Sequence, residues 1–256
     1  MNLLVEYIKY KLKAKGRHGT HSPFVYEFVD RCQAIDFRKE DKKILENLRK
    51  NLKSDHRAIE IKDFGVGSKK MGSKRKISRL YKVSSSKGKF SKLFYQLSSY
   101  YKPKFILEFG TSLGIGTIHF AKGNPDSHIT TIEACTNTAS TALDNFKSTN
   151  CTNIQLVNST FNDFLSTAIS NQLYDIVFID GHHDGQATLD YLLKLENVIH
   201  NDTWIIIDDI RWSDSMFNAW QQIIHDEKFH VTIDLFRMGI ALKRPQQRKE
   251  HFTVKL

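Results

Sequence analysis

The sequence has few cysteines and no long apolar run, and each scarcity excludes a class of protein. The three cysteines, Cys32, Cys135 and Cys151, are widely spaced and form no CxxC pair, which argues against a disulfide framework and a zinc–thiolate site. No apolar run approaches the roughly 18 to 20 residues of a membrane span. The amino-terminal segment turns basic after Ile8, so no signal-peptide core is predicted. A cytoplasmic protein is the simplest expectation.

Acidic residues are scarce in one part of the chain only. Residues 1–100 contain 25 Lys and Arg against 10 Asp and Glu, whereas residues 101–256 contain 13 against 18. A basic region of this kind can attract nucleic acid, an anionic membrane surface or an acidic substrate. It is equally compatible with a solvated, lysine-rich surface, and the sequence leaves these alternatives open.

The basic region is predicted to be mainly helical. Residues 2–13 place Leu4, Ile8 and Leu12 at helical spacing among lysines. Ser22 followed by Pro23 is a helix start, with the serine as N-cap and the proline at the first helical position. Another helix is predicted over residues 39–52, and the Gly-, Ser- and Lys-rich residues 65–76 are predicted to form a loop.

Beyond residue 100, short apolar runs alternate with helical stretches. Because strands separated by such helices form right-handed crossovers, the pattern predicts a parallel sheet covered on both faces. Two closely spaced runs then predict an antiparallel hairpin at the sheet edge. The predicted strands are 105–109, 129–133, 154–158, 175–180, 204–208, 230–235 and 238–242, and the helices between them are 115–122, 137–148, 161–169, 186–199 and 214–225.

The fold class predicted is therefore α/β, Rossmann-like, with a mostly parallel seven-stranded sheet, an antiparallel C-terminal hairpin and a basic helical extension. The predicted domains are residues 1–80, a core domain at 81–245 and a tail at 246–256.

The strongest motif is the Gly-rich turn after the first of these strands. Glycines at 110, 114 and 116 let the backbone approach a ligand closely ahead of a helix N-terminus. Their spacing does not meet the GxGxxG dinucleotide fingerprint, and the chain has no GxxxxGK[ST] phosphate loop. Glu133 ends the next strand, where a carboxylate can accept hydrogen bonds from both ribose hydroxyls of a nucleoside.

Glu108-x-Gly-x-x-x-Gly followed by an acidic strand end resembles the signature of class I S-adenosylmethionine-dependent methyltransferases. The upstream segment from Val83 to Leu93 is similar to the catechol and caffeoyl-CoA O-methyltransferase type. The resemblance implies a cofactor site formed by the residues Val83, Ser85, Gly88, Glu108, Gly110, Thr111, Ser112, Gly114, Gly116, Glu133, Ser159 and Asp180. In it, Val83, Ser85 and Gly88 lie near the methionine end and Glu108 lies below the amino group.

One position departs from the family pattern. The third strand of such proteins usually ends in an acidic residue that addresses the adenine, whereas this chain has Asn158-Ser159-Thr160. A polar side chain can still reach an exocyclic amine, so Ser159 stays in the predicted site.

Three carboxylates are predicted at the acceptor side of the site. Asp180 ends the fourth strand, and Asp208 and Asp209 end the fifth. Ligands bind at the carboxyl ends of strands in open α/β sheets. Clustered carboxylates suit Mg²⁺ or Ca²⁺, which could lower the pKa of a substrate hydroxyl. Metal-dependent family members carry Asp-Asn at the end of strand five, so the Asp-Asp pair here leaves a metal site plausible without requiring it.

His182 and His183 follow Asp180 and could act as general base to an attacking hydroxyl. Alternatively, one neighbours a metal ion and the other is a solvated loop residue. Trp212 could form an apolar wall for a substrate or serve only in packing.

The leading functional expectation is O-methylation of a small molecule. The alternatives are methylation of RNA or another macromolecule through the basic region, and a cofactor-binding protein without catalysis. Against the nucleic-acid alternative, the four prolines are isolated, so the Asn/Asp-Pro-Pro-Tyr motif of base methylation is missing. A homodimer is left open.

Overall fold

A computed structural model describes residues 2–16, 19, 21–62, 73–84, 88–167 and 172–256. The chain divides into two compact units, Ala34–Thr167 and Met1–Gln33 with Ala168–Leu256. The predicted loop at 65–72 and the predicted site residue Ser85 lie outside the described residues. In the described part of the chain, no helix has the length and apolar character needed to cross a bilayer.

The unit Ala34–Thr167 contains the Gly-rich turn and part of the basic region. Its elements in chain order are α3 (Lys39–Ser54), β1 (Ala58–Ile61), β2 (Ser73–Lys76), α4 (Ile77–Ser84), α5 (Lys89–Tyr101), β3 (Phe105–Phe109), α6 (Ile115–Gly123), β4 (His128–Ile132), α7 (Thr136–Ser148), β5 (Ile154–Val157) and α8 (Phe161–Thr167). In this unit β4 lies between β3 and β5 and is parallel to both. The carboxyl ends of these strands therefore meet at one edge.

The helix α3 forms because its apolar residues repeat at helical spacing. Leu45, Leu48 and Leu52 are buried on one face, while the lysines occupy the other. The buried face packs with Ile77 of α4 and Phe146 of α7 in one apolar cluster. Part of the basic region thus shares a core with the Gly-rich turn.

The short hairpin of β1 and β2 differs from the sequence prediction. Residues 73–76 fall inside the predicted loop, but they form β2, which pairs antiparallel with β1. The run Ser-Lys-Arg-Lys has no alternation of apolar and polar residues. It forms a strand by pairing with β1, in a register that sets Ile59 opposite Arg75.

The second unit contains the remaining elements. In chain order they are α1 (Leu3–Lys13), α2 (Pro23–Glu27), which continues as a π-helical turn (Phe28–Cys32), β6 (Tyr174–Ile179), α9 (Gly185–Lys194), a 3₁₀ turn (Glu196–Val198), β7 (Ile199–Ile207), α10 (Asp214–His225), β8 (Val231–Asp234), β9 (Gly239–Leu242) and β10 (Glu250–Thr253). As predicted, Ser22 caps α2, accepting a hydrogen bond from the Val25 amide at 3.5 Å, and Pro23 is its first residue.

In this unit β6 and β7 are parallel, and the predicted antiparallel hairpin of β8 and β9 is confirmed. The strand β9 also pairs antiparallel with β7, setting Gly239 opposite Ile207. The strand β10 lies within the predicted tail and pairs parallel with β8. The α/β fold class with a mostly parallel sheet is therefore confirmed, and among the described residues β10 is a strand that the sequence prediction did not include.

Candidate cofactor and acceptor sites

The turn after β3 requires its glycines for two different reasons. Gly110 and Gly114 have φ angles of 101° and 76°, in the left-handed region that favours glycine. A Cβ at Gly114 would overlap the ring of Phe146, and a Cβ at Gly116 would lie 3.0 Å from Glu108 Oε1. The turn therefore packs tightly against β3 and α7, and of its residues only Gly110 and Ser112 are partly exposed.

Glu108 is fully buried in a chain of hydroxyl groups. Thr117 and Thr131 both donate to its Oε2, Thr131 at 2.6 Å. The hydroxyls of Thr131 and Thr111 are 2.6 Å apart, which links the network to the Gly-rich turn. Burial raises the pKa of Glu108 to about 7, although the two threonine hydrogen bonds oppose the rise. The side chain is therefore held in one orientation but is costly to ionise.

Glu133 directly follows β4 and faces the Gly-rich turn. The Ser112 amide donates to its Oε2 at 2.9 Å, and the Cys135 amide donates to its Oε1 at 2.9 Å. Burial raises the pKa of Glu133, and these backbone amides work against the increase. Backbone amides thus fix the orientation of the Glu133 carboxylate.

The outer predicted cofactor residues are less tightly held. Val83, near the end of α4, is 65% exposed. Gly88 has a φ of 60° and precedes α5, and a Cβ there would meet no atom within 4 Å. Ser159 is half-buried, and its hydroxyl donates to the Thr160 carbonyl at 3.1 Å. The neighbouring Asn158 amide is used internally, donating to the Glu133 carbonyl at 2.7 Å.

In the other unit, the predicted acceptor carboxylates follow neighbouring strands. Asp180 follows β6 and Asp208 follows β7, and the Asp208 amide donates to the Ile179 carbonyl at 3.0 Å. The side chain of Asp208 is fully buried, whereas that of Asp209 is one-fifth exposed. The two strand ends therefore bring Asp180 and the Asp208–Asp209 pair to the same edge.

Arg237 binds the Asp208–Asp209 pair. Its Nε donates to Asp208 Oδ1 at 2.9 Å and to Asp209 Oδ1 at 3.0 Å, and its Nη2 donates to Asp208 Oδ2 at 2.5 Å. Burial lowers the pKa of Arg237, but attraction to Asp208, Asp209 and, more weakly, Asp180 outweighs this and raises it. Arg237 is thus a fixed cation among the three carboxylates.

The Asp208–Asp209 pair does not fit a divalent ion in this arrangement. Both oxygens of Asp208 already accept from Arg237, and Oδ1 also accepts from the Asp209 amide at 2.9 Å. A metal ion would have to displace the guanidinium before it could reach Asp208. Within the described ranges, no group of three His, Cys, Asp or Glu side chains is arranged to hold a metal.

The two histidines have different surroundings. His182 Nδ1 lies 2.6 Å from the Tyr191 hydroxyl. His183 Nδ1 lies 3.8 Å from Asp209 Oδ2, and its ring packs on Trp212 at 5.3 Å between centroids. Trp212 is 67% exposed. His183 is therefore placed between a carboxylate and an exposed aromatic surface.

The backbone at these positions is strained. His182, His183 and Asp209 have φ angles of 64°, 41° and 51°. Left-handed conformations are uncommon for such residues and persist where the surrounding structure fixes them, often at functional sites.

Sequence reasoning missed Arg237, Tyr191 and the two threonines around Glu108. For Arg237 a signal existed: a hairpin strand that returns antiparallel to β7 must begin beside the carboxyl end of β7, where Asp208 lies. The Arg237 carbonyl accepts from the Ile210 amide at 2.9 Å, which fixes the turn there. The contacts of Thr117, Thr131 and Tyr191 depend on side-chain packing and carry no comparable signal.

Residues 107–210 match the family model described as a methyltransferase domain. Three solved structures share the fold. A methyltransferase from Podospora anserina bound to SAH is 16% identical over 88% of this chain and 98% of its own, with a TM-score of 0.60. An O-methyltransferase from Bacillus cereus in complex with SAH is 16% identical over 86% and 96%, with a TM-score of 0.57. The O-methyltransferase TomG from Streptomyces achromogenes in complex with SAM is 14% identical over 86% and 94%, with a TM-score of 0.56.

No curated protein sequence matches the chain. The matched residues run from β3 to just beyond the end of β7, and so include Glu108, Glu133 and the Asp208–Asp209 pair. Residues 107–210 are therefore similar to a methyltransferase domain, and the predicted resemblance to class I S-adenosylmethionine-dependent methyltransferases is confirmed.

Proposed function

We propose that the protein transfers the methyl group of S-adenosylmethionine to a hydroxyl of a small molecule. The observation that carries the proposal is the pairing of Glu133 with the Ser112 amide across the Gly-rich turn, 2.9 Å apart. This pairing fixes a carboxylate beside a backbone that can approach a ligand. The bound SAH and SAM in the structures from Bacillus cereus and Streptomyces achromogenes support the choice of ligand.

Each cofactor-side residue then has a defined role. Glu133 accepts hydrogen bonds from the ribose hydroxyls, and Glu108 faces the ammonium group of the methionine moiety. The Gly110–Gly116 turn lies against the nucleoside, with Thr111 and Ser112 supplying polar groups. Val83 and Gly88 border the methionine end, and Ser159 lies toward the adenine.

On the acceptor side, methyl transfer needs alignment and removal of the hydroxyl proton. We assign proton removal to His183, because its ring lies between Asp209, whose Oδ2 is 3.8 Å from its Nδ1, and the exposed ring of Trp212. The hydroxyl oxygen bonds to the methyl carbon as the sulfonium C–S bond breaks, and the proton passes to His183. Trp212 offers its exposed face to the acceptor. His182, hydrogen-bonded to Tyr191, positions this loop.

A divalent ion is not part of this scheme, because the guanidinium of Arg237 already occupies both carboxylate oxygens of Asp208 and one of Asp209. We therefore propose that transfer continues when Mg²⁺ and Ca²⁺ are removed by a chelator. If a chelator abolishes transfer and Mg²⁺ restores it, then Asp180, Asp208 and Asp209 form a metal site instead. The contacts of Arg237 with these aspartates would then belong to the metal-free conformation.

The cofactor assignment is tested by calorimetry with S-adenosylmethionine and, as comparison, a nicotinamide dinucleotide. Binding of the former alone supports the proposal, and binding of the latter alone overturns it. Glu133→Gln is expected to weaken S-adenosylmethionine binding by about tenfold or more, since hydrogen bonds to a charged acceptor are lost. Glu46→Gln, on the exposed face of α3, is the matched control.

The catalytic assignment is tested by transfer of labelled methyl groups to a panel of phenols and catechols. His183→Gln is expected to lower kcat by about a hundredfold or more without changing S-adenosylmethionine affinity. His225→Gln, at an exposed position of α10, is the control. Binding without transfer to any acceptor would favour a non-catalytic protein.

Methylation of RNA is the second candidate, and one observation favours it. The described segment 73–84 has five Lys and Arg and no Asp or Glu, and α3 adds six more basic residues. Phosphate contacts of this kind give binding that weakens steeply with salt. Salt-sensitive electrophoretic shift together with methyl transfer to RNA would replace the small-molecule assignment.

A further inference from the structure

The helix α1 is apolar on two faces, and only one of them is covered. Tyr10 is buried, and its hydroxyl donates to the Val254 carbonyl at 2.6 Å. The rings of Tyr7 and Tyr10 pack on Phe236 with centroids 5.0 and 5.3 Å away. After the helix, the Lys15 amide donates to the Thr253 carbonyl at 2.8 Å. This side therefore fixes α1 on the body of its unit.

The opposite side carries an exposed apolar stripe. Leu4, Ile8 and Leu12 are 68%, 51% and 83% exposed. At about 3.6 residues per turn these residues, spaced by four, share one face within a sector of about 80°. Val5, 43% exposed, widens the same face. Hence α1 presents to solvent the face that a surface helix normally buries.

Lysines border the stripe on both sides. At helical spacing Lys11 lies beside Leu4, and Lys9 and Lys13 lie beyond Leu12 on the other edge. The one acidic residue of the helix, Glu6, is paired with Lys9 at 2.8 Å. An apolar face edged by lysines is the arrangement of helices that lie in the surface of an anionic membrane.

We propose that α1 binds an anionic membrane surface, inserting Leu4, Ile8 and Leu12 while the flanking lysines contact lipid headgroups. Charge complementarity favours an anionic membrane over a second copy of the chain as the partner of this face of α1. Two copies packed stripe to stripe would bring their lysine borders together, and the protein already carries a net charge of +10. The helix, of 11 residues, lies along the surface and does not span it.

The full-length protein is mixed with vesicles of phosphatidylcholine alone or of phosphatidylcholine with phosphatidylglycerol, and bound protein is separated by flotation. Binding to the anionic vesicles, weakened by salt, is expected. The variant Leu4→Gln/Ile8→Gln/Leu12→Gln should lose about a hundredfold in partitioning, because three apolar side chains no longer enter the bilayer. The single variant Leu12→Gln, at the most exposed position, should give a smaller loss in the same direction.

Leu193→Gln is the matched control, since Leu193 is 65% exposed on α9 of the same unit and should bind like the unchanged protein. Neutralising Lys9, Lys11 and Lys13 to glutamine should reduce binding to anionic vesicles only. Three results would overturn the proposal: no flotation with anionic vesicles, unchanged flotation of the triple leucine-face variant, or a solution dimer that this variant converts to monomer.

Discussion

Replacing Glu108 by glutamine should stabilise the free protein at alkaline pH and impair cofactor binding. Glutamine has the same shape, and its carbonyl oxygen can accept the hydrogen bonds that Thr117 and Thr131 donate to Glu108 Oε2. The substitution therefore removes a buried charge without creating a cavity. The consequence for stability depends on pH, because only the carboxyl group titrates.

The magnitude follows from the difference between the folded and unfolded pKa. Burial raises the pKa of Glu108 to about 7 in the folded protein, from an ordinary value of 4.5. A folded pKa above the unfolded one means that stability is fully present below the unfolded pKa and is lost as pH rises through the folded pKa. The loss is about 3 kcal/mol between roughly pH 4.5 and pH 8. Glu108→Gln removes this loss, so the variant gains relative to the unchanged protein over that window.

Thermal unfolding of both proteins from pH 5 to pH 8 measures the effect. The difference in melting temperature should be small at pH 5 and reach about 6 to 10 °C at pH 8, with the variant higher. Taking the difference cancels the other titrating groups. Glu46→Gln on exposed α3 should leave the difference flat. If the melting temperatures of Glu108→Gln and the unchanged protein vary in parallel across this pH range, burial does not dominate the pKa of Glu108 and the reasoning is refuted.

Three further changes test the rest of the site. Gly114→Ala should lower the free energy of unfolding, measured by denaturant titration, by about 2 to 4 kcal/mol, because of left-handed backbone strain and overlap with Phe146. The control Gly16→Ala, whose new Cβ has no atom within 4 Å, should change it by less than about 0.5 kcal/mol. Arg237→Gln should lower the free energy of unfolding by about 3 kcal/mol at pH 8, because the fully buried Asp208 loses its cation. Adding Asp208→Asn should recover most of this loss, and a double variant without recovery would contradict the pairing. Trp212→Ala, at an exposed position, should leave the melting temperature unchanged but raise KM for aromatic acceptors; an unchanged KM would show that Trp212 does not contact them.

Burial decided which elements could be predicted from sequence. The strand β3 has the predicted bounds because Phe-Ile-Leu-Glu-Phe is an apolar run between a proline and a glycine. The helix α10 likewise matches the predicted residues 214–225, since Ser213 provides an N-cap. In contrast, β10 is Glu-His-Phe-Thr, a polar run that is a strand only because β8 offers it a parallel edge. Short polar strands depend on long-range pairing and cannot be predicted from local pattern.

The acceptor side shows a different limit of sequence reasoning. The sequence correctly indicates that acidic residues follow both β6 and β7, and a cluster of buried carboxylates needs a positive charge. The sequence offers a divalent metal ion as one source of that charge, and the structure places the guanidinium of Arg237 beside Asp208 and Asp209. The guanidinium is 28 residues from Asp209 along the chain. The antiparallel pairing of β9 with β7 brings Arg237 beside Asp208 and Asp209. This long-range pairing is not visible in the local pattern around the two aspartates.

The helix α1 marks a third limit, because its pattern predicts a helix but not which face is buried. Leu4, Ile8 and Leu12 repeat at the spacing of a core stripe, and so do Tyr7, Tyr10 and Ala14. The structure buries the tyrosine face, which can bury rings and still satisfy a hydroxyl on the Val254 carbonyl. Because α1 packs on its own unit through the tyrosine face, the face of Leu4, Ile8 and Leu12 stays exposed.

The buried carboxyl groups of the cofactor and acceptor sides differ in their hydrogen-bond donors. Glu108 and Glu133 have pKa values raised by burial, and their hydrogen-bond donors among the described residues are neutral hydroxyls and amides. Ionising them is costly in the free protein and becomes favourable when a ligand brings positive charge, as the ammonium and sulfonium groups of S-adenosylmethionine do. On the acceptor side, burial and the neighbouring Asp209 raise the pKa of Asp208 to about 6, and the guanidinium of Arg237 opposes that rise. Under the proposed function, the positive charge of the methyl donor is therefore recognised by Glu108 and Glu133, whose hydrogen-bond donors are neutral, and the acceptor hydroxyl lies beside carboxylates that already contact a guanidinium.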